Sequence, residues 1–261
     1  MHETTFQAHL IPGSNNTYYI PDFVTKEEET YLLRKIQETP KKKWKQLSNR
    51  RALRAYATGG ELTPKNALIP DALPPFLSEF PDIISRIEAT GAFADSPHHR
   101  PNHVILNEYQ SGQGIMPHED GPSYHPVVAT LSLGSHTIMH YFQYTPSTSP
   151  DDSKHGRTID TTPSLSLLLE PRSLVITTSE LYTDHLHGIS EVQEDRLIAH
   201  DSGRNDIETG GIRVANYEMI RGEGEKKAVM HGGILQRQTR YSLTCRDVGK
   251  VVSIRPSVAR K

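Results

Sequence analysis

From Asn102 to Val248 the chain is written in short β-branched and apolar runs, each cut off by Gly, Pro or Ser: "NHVILNEY", "VVATLSLGS", "HTIMHYFQY", "SLSLLLEPRSLVITT" and "RYSLTCRDV". Runs of this length and composition predict antiparallel strands closing into a sandwich or barrel. Within them, "LLLEPRSLVI" reads as two strands around a tight turn at Glu170, Pro171 and Arg172. The first third is mixed. "TKEEETYLLRKIQETP" opens with Thr25 and places Glu28 three residues on, the spacing of a capping box, with Leu32, Leu33 and Ile36 on one helical face before Pro40. A second helix is expected between about Pro75 and Thr90, with Ile83, Ile84 and Ile87 on one face and Gly91 to stop it.

A length of 261 residues suits one all-β domain with added helices, so a single domain over 1–261 is expected. In outline it has a helical and substrate-recognition extension over 1–95 and a β core over 96–250. Two polar stretches, 145–163 and 190–238, read as surface insertions.

Composition excludes some partners. The net charge of -2 rules out a wholesale basic surface, so a polyanion would have to be met locally. No apolar run approaches the roughly 20 residues that span a bilayer, and "MHETTFQAHL" lacks the basic start and apolar stretch of a secretory signal. The single cysteine, Cys245, cannot form an internal disulfide, which fits a reducing compartment, nucleus or cytoplasm. A monomer is expected.

The chemistry concentrates in "GIMPHEDGP", residues 114–122. Among 14 histidines, His118 alone is followed two residues later by a carboxylate, Asp120. In extended backbone alternate residues share a face, so His118 and Asp120 point together while Glu119 points away. His187, in "YTDHLHGI", is the candidate third ligand, with His185 as its rival. Two histidines and a carboxylate on three adjacent corners of an octahedron leave three corners open, as in non-haem Fe(II) oxygenases. Taken alone, His-x-Asp also occurs as a loop hydrogen-bonding motif. In "RYSLTCR", Arg240 and Arg246 share a strand face with Ser242 and Thr244, while Leu243 and Cys245 face the other way. Arginines facing the inside of a barrel need an anion, such as a small dicarboxylate; on an exposed edge strand they would simply be solvated. Asn107 and Tyr109 in "NEY" share one face as neutral donors.

The order "NEY", "GIMPHEDGP", "LHGI", "RYSLTCR" resembles that of the AlkB-type dioxygenases. The "TKEEETYLLRKI", "LSLGSHT" and "LLLEPRSLVI" stretches match most closely the sixth branch of the eukaryotic AlkB homologues. The resemblance covers about Tyr18 to Val248 outside the two insertions. It implies a mainly β fold with flanking helices, built on a double-stranded β-helix of the jelly-roll, cupin-like kind. It also implies Fe(II), 2-oxoglutarate as cosubstrate and O2. Carried over by position, the iron ligands are His118, Asp120 and His187. Arg240 would hold the distal carboxylate of 2-oxoglutarate with Asn107 and Tyr109, and Arg246 would lie near the proximal carboxylate and the substrate. Where this branch has a Trp-Gly-Gly segment, the chain reads "RRALRAYATGG".

The implied reaction is oxidative demethylation of alkylated nucleic acid, releasing formaldehyde, succinate and CO2. Between Pro40 and Gly59 there are seven basic residues and no acid, with Trp44 and Tyr56 interleaved. Lys43, Trp44, Lys45, Arg50 and Arg51 are therefore candidate contacts to single-stranded or looped nucleic acid, alongside Lys41, Lys42 and Arg54. Three alternatives stay open: the same chemistry on a protein side chain, a non-catalytic nucleic-acid-binding member of the fold, and a zinc hydrolase.

Overall fold

The computed structural model describes residues 5–53, 59–145, 157–200 and 210–252. The first part of the chain supplies β1 (Thr17–Ile20), α1 (Lys26–Gln37), β2 (Trp44–Gln46), β3 (Arg51–Leu53), β4 (Gly60–Leu62), β5 (Leu68–Pro70), α2 (Pro75–Ser78) and α3 (Ile83–Ala89). The β-rich part follows as β6 (His103–Tyr109), β7 (Ile115–His118), β8 (Tyr124–Leu133), β9 (Thr137–Phe142), β10 (Leu165–Leu169), β11 (Leu174–Thr178), α4 (Ser179–Thr183) and β12 (Leu186–Ile189). The last elements are β13 (Glu194–Leu197), α5 (Glu223–His231), β14 (Gly233–Gln236) and β15 (Arg240–Val248).

Two antiparallel sheets face each other. The larger runs β1-β11-β8-β15-β6-β3-β2 and the smaller β10-β9-β12-β7. The eight strands β6 to β12 and β15 are dealt between the sheets in two Greek keys, which is a jelly roll. The turn at Glu170–Arg172 joins β10 of the smaller sheet to β11 of the larger one, so it is a crossing between layers and not a hairpin.

Strand alternation explains the layers. The outward residues of the larger sheet, among them Leu106, Leu131, Ile176 and Leu243, form one core with Leu32 and Ile36 of α1 and Ile83, Ile84 and Ile87 of α3. Each fully buried aliphatic side chain there contributes roughly 1.5–3 kcal/mol. The capping box of α1 is present: Glu28 N–H donates to Thr25 Oγ1 (3.2 Å) and Thr25 N–H to Glu28 Oε2 (2.8 Å). The single helix expected over Pro75–Thr90 is two. Pro81 lacks the N–H a continuous helix needs, and α3 restarts with the Asp82 side chain accepting from Ser85 N–H.

Two further expectations need correction. Trp44 is buried in the core beneath the larger sheet. In β2 alternation turns Trp44 inward and Lys45 outward, so the indole is not a stacking surface. Within the 190–238 stretch, the described residues 190–200 and 210–238 are not a loose surface insertion; 201–209 lie outside the described residues. Leu197, Val214, Ile220, Ala228 and Val229 are buried in a second core with Ile138 of β9 and Leu168 of β10. Asn216, fully buried, accepts from Leu168 N–H (3.0 Å) and donates to Leu168 C=O (2.8 Å), so its amide covers the edge strand of the smaller sheet. Its apolar residues are too widely spaced to show a period. Of 145–163, residues 146–156 lie outside the described residues; Thr145 N–H meets Thr158 C=O at 2.8 Å, and Asp160 N–H meets Gln143 C=O at 2.9 Å.

Candidate metal centre and cosubstrate pocket

Between the sheets lies a cavity of about 670 Å³, counted with its open mouth. At its wall, β7 pairs with β12 so that His187 stands directly opposite His118. The pairing is irregular: His118 and Ile115 face His187 and Ile189, so two residues of β7, Met116 and Pro117, oppose Gly188 alone. Gly188 is needed for this approach, because a Cβ there would lie 2.9 Å from Pro117 N and 3.1 Å from Ile115 O. Gly188→Ala should therefore push β7 off β12 and weaken metal binding at least about tenfold, measured by titrating the protein with Fe(II) or Mn(II) under anaerobic conditions. Unchanged affinity would refute this account of the strand contact.

Asp120 follows on the same face, and Gly121, at φ +82°, turns the chain away immediately after it. Glu119 points outward, accepting from Tyr144 Oη (2.7 Å) and Arg157 Nη2 (3.0 Å). One ligand atom from each of His118, Asp120 and His187 lies within 4.8 Å of the others. His187 Nε2 is 3.6 Å from Asp120 Oδ1, and the two imidazole centroids are 4.4 Å apart. His118 Nδ1 lies 2.8 Å from Met116 C=O, so its Nδ1–H donates there and Nε2 is the ring nitrogen left for a metal. Burial pushes His187 down to about 4 against the opposing pull of Asp120, so its imidazole is neutral at physiological pH, as a metal ligand must be. His185 takes no part: its nitrogens lie 3.0 Å from Gln143 Nε2 and 3.3 Å from Glu180 C=O.

The arginine strand closes the cavity. In register, Arg240 faces Tyr109, Ser242 faces Asn107 and Arg246 faces His103. Arg240, Ser242, Thr244 and Arg246 line the cavity while Leu243 and Cys245 enter the helix-side core, as alternation requires. Arg240 is buried, and its Nη2 donates to Ser132 Oγ at 2.8 Å. Its Nε has no hydrogen-bond partner among the described residues, nor does any acid there pair with it. Burial lowers it to about 10, so it remains a cation at neutral pH in want of an anion. Burial also raises the Tyr109 phenol, with Arg240 opposing, so that hydroxyl is a neutral donor. Arg246, expected beside the cosubstrate, is anchored to Asp120: its Nη2 donates to Asp120 Oδ1, and its guanidinium sits 4.7 Å over the Tyr124 ring.

The donor set fits the groups it would hold. Asp120 Oδ2 is buried without a hydrogen-bond partner among the described residues, beside the imidazoles of His118 and His187. Two histidines and one carboxylate are ligands for a ferrous ion that must keep open positions, and Arg240 supplies the buried cation that a dicarboxylic keto acid requires.

Of the basic segment, Lys41, Lys42 and Lys45 are exposed and Lys43 is half-buried. Arg50 turns toward the cavity, its Nε donating to Asn107 Oδ1 at 3.3 Å. The Arg51 side chain, Arg54 and Tyr56 lie outside the described residues. Sequence reading missed the hydroxyls around the cavity. Ser132 holds Arg240, Tyr141 Oη meets Thr177 Oγ1 at 2.6 Å, and Tyr182 lines the wall. The signal for the first two was strand alternation; for Tyr182, in a helix of five residues, there was none.

A jelly roll carrying two histidines and an aspartate at the mouth of a cavity with a buried arginine defines a non-haem iron oxygenase. The chain belongs to the 2OG-Fe(II) oxygenase superfamily, whose family model matches residues 16–246. It is thus a dioxygenase that uses Fe(II), 2-oxoglutarate and O2. Among curated relatives, the "Probable RNA/DNA demethylase ALKBH6" of Danio rerio is 40% identical over 235 residues, 90% of this chain and 86% of that protein. The "Uncharacterized protein L905" of Acanthamoeba polyphaga mimivirus is 30% identical over 193 residues, covering 74% of this chain and 81% of its own. The solved structure of OsALKBH1 aligns over 90% of this chain and 99% of its own, at 14% identity and a TM-score of 0.47. Among the described residues no helix is long and apolar enough to cross a membrane.

Proposed function

We propose that this dioxygenase removes N-methyl groups from bases of single-stranded or looped nucleic acid. His118, Asp120 and His187 hold the ferrous ion. Arg240, with Asn107 and Tyr109, holds the far carboxylate of 2-oxoglutarate, and Arg246 fixes the Asp120 carboxylate. Bound together, iron and 2-oxoglutarate supply the oxidising power, one oxygen atom of O2 leaving in succinate as CO2 is released and the other entering the methyl C–H bond. The resulting N–CH2OH group expels formaldehyde and leaves the N–H base. The residues of the chain orient both reactants and keep the reacting methyl away from bulk water in a cavity walled by Val128, Met139 and Leu181.

The observation that carries the choice of substrate is the 40% identity, across nearly the whole chain, to a relative named as an RNA/DNA demethylase. The exposed lysines 41, 42 and 45 agree with it, and Arg50 brings that basic segment to the cavity at Asn107. Because the metal ligands sit between two sheets, a base must leave its stack to reach them, which favours single strands and loops over intact duplex. The test is mass spectrometry of nucleosides after incubating the iron-loaded protein with cellular RNA and DNA. One or more N-methylated nucleosides should fall, with formaldehyde formed in step with succinate. Succinate formed without change in any nucleoside would overturn the nucleic-acid reading.

A further inference from the structure

Three tyrosines line the catalytic cavity: Tyr109, Tyr141 and Tyr182. Tyr141 is committed to Thr177, and Tyr109 stands against Arg240, whose guanidinium carbon lies 5.6 Å from the ring centroid. Tyr182 differs. Its hydroxyl is buried and has no hydrogen-bond partner among the described residues, and it is the only such tyrosine hydroxyl among them. A phenol oxygen buried in this way costs about 1–3 kcal/mol unless a ligand offsets it.

Its position says which ligand. Tyr182 belongs to α4, which packs on β8 and β11, and it stands five residues before His187. Asp120, Arg246 and Tyr124 are the groups close enough to act on it electrostatically, so it stands at the metal end of the cavity. Burial, then the charge of Asp120, raises the phenol above its ordinary value, so the hydroxyl stays protonated and can both donate and accept. Of the other residues lining the cavity, Leu181, Val128 and Ile189 carry no side-chain hydrogen-bonding group and Met139 only a weakly accepting thioether. Tyr124 is no substitute, because His103 stacks on its ring (centroids 5.9 Å apart) and Arg246 sits over it.

We propose that Tyr182 is a specificity-determining residue whose hydroxyl hydrogen-bonds a ring nitrogen or exocyclic oxygen or nitrogen of the methylated base while the methyl group faces the iron. This rests on the nucleic-acid reading above. A flat heterocycle places such atoms one or two bonds from its N-methyl group, whereas an aliphatic side chain offers none at that distance. The hydroxyl therefore reads the base and takes no part in holding the metal or 2-oxoglutarate.

The test compares wild type with Tyr182→Phe, which removes one oxygen and keeps the ring. The probes are single-stranded oligonucleotides carrying one 1-methyladenine or one 3-methylcytosine, with unmethylated controls. Binding is read by fluorescence anisotropy on protein loaded with Mn(II) and N-oxalylglycine, which is catalytically inert; turnover is read as formaldehyde per succinate. The expected result is a roughly three- to tenfold loss of affinity for a methylated oligonucleotide and a lower formaldehyde yield per succinate, the size of one neutral hydrogen bond. The KM for 2-oxoglutarate and the succinate formed without nucleic acid should stay within about twofold of wild type, which also shows that the variant folds. If the variant binds and couples like wild type, or if its defect lies in the KM for 2-oxoglutarate, the inference falls while the demethylase reading stands. If wild type neither binds nor oxidises any methylated probe, that reading fails and this one with it.

Discussion

Replacing His118 with alanine should reduce conversion of 2-oxoglutarate to succinate by at least about 100-fold while leaving the fold in place. Loss of an outer hydrogen-bond partner to a metal ligand already costs 10–100-fold, and here the ligand itself is gone. His118 is half-buried at the end of β7, an edge strand of the smaller sheet, so few packing contacts go with it. Circular dichroism and the melting temperature should be close to wild type, and anaerobic metal titration should show the lost affinity. Asp120→Ala makes a useful contrast. It removes the same metal but also strips the anion from Arg246, whose side chain is 8% exposed, so about 3–5 kcal/mol of stability should be lost as well. Normal turnover in His118→Ala would reject the ligand assignment outright.

Arg237→Ala should be the most destabilising change away from the cavity. Arg237 Nε and Nη2 donate to the two oxygens of Asp195 at 2.8 and 2.7 Å, and Nη1 donates to Ser190 C=O at 2.8 Å. Both side chains are buried, at 4% and 0% exposure, and His136 Nε2 lies 3.2 Å from Asp195 Oδ2. Removing one partner leaves a buried carboxylate with little compensation, which costs about 3–5 kcal/mol, or on the order of 10 °C in Tm for a chain of this size. Although burial opposes it, hydrogen bonding and charge from His136 and Arg237 hold the Asp195 carboxyl below its ordinary value. A depressed folded value means that this stability is complete above the unfolded value of about 3.9 and is lost as pH falls below it. Wild type should therefore lose stability steeply below about pH 4, and Arg237→Ala should show a shallower loss there. Thermal melts of both proteins between pH 3 and 7 decide the matter; parallel curves would exclude the pair as the source. Hydrogen exchange should show the loosening in β13, β14 and the Ser190 loop, which this arginine joins.

Local physics made much of the molecule legible. Strand alternation placed Arg240, Ser242 and Arg246 on the cavity face, sent Leu243 and Cys245 to the core and turned Glu119 away from His118 and Asp120. The side-chain period of two depends only on extended backbone, so it can be read before any tertiary contact is known. The Thr25 and Glu28 box was legible for the same reason, since its two hydrogen bonds span three residues. Trp44 was misread because a run of lysines around an indole looks like a solvated surface, while a strand puts one neighbour outside and the other inside.

Residue order and side-chain chemistry were enough to read the kind of strands, the faces they present and the residue types able to hold a ferrous ion and a keto acid. That His187 lies opposite His118, that Arg246 serves Asp120 and that Asn216 covers the edge strand of the smaller sheet came from the folded arrangement alone. These are contacts between residues dozens of positions apart, and their geometry is fixed by which strands become neighbours. Chain order alone does not encode that in any local period.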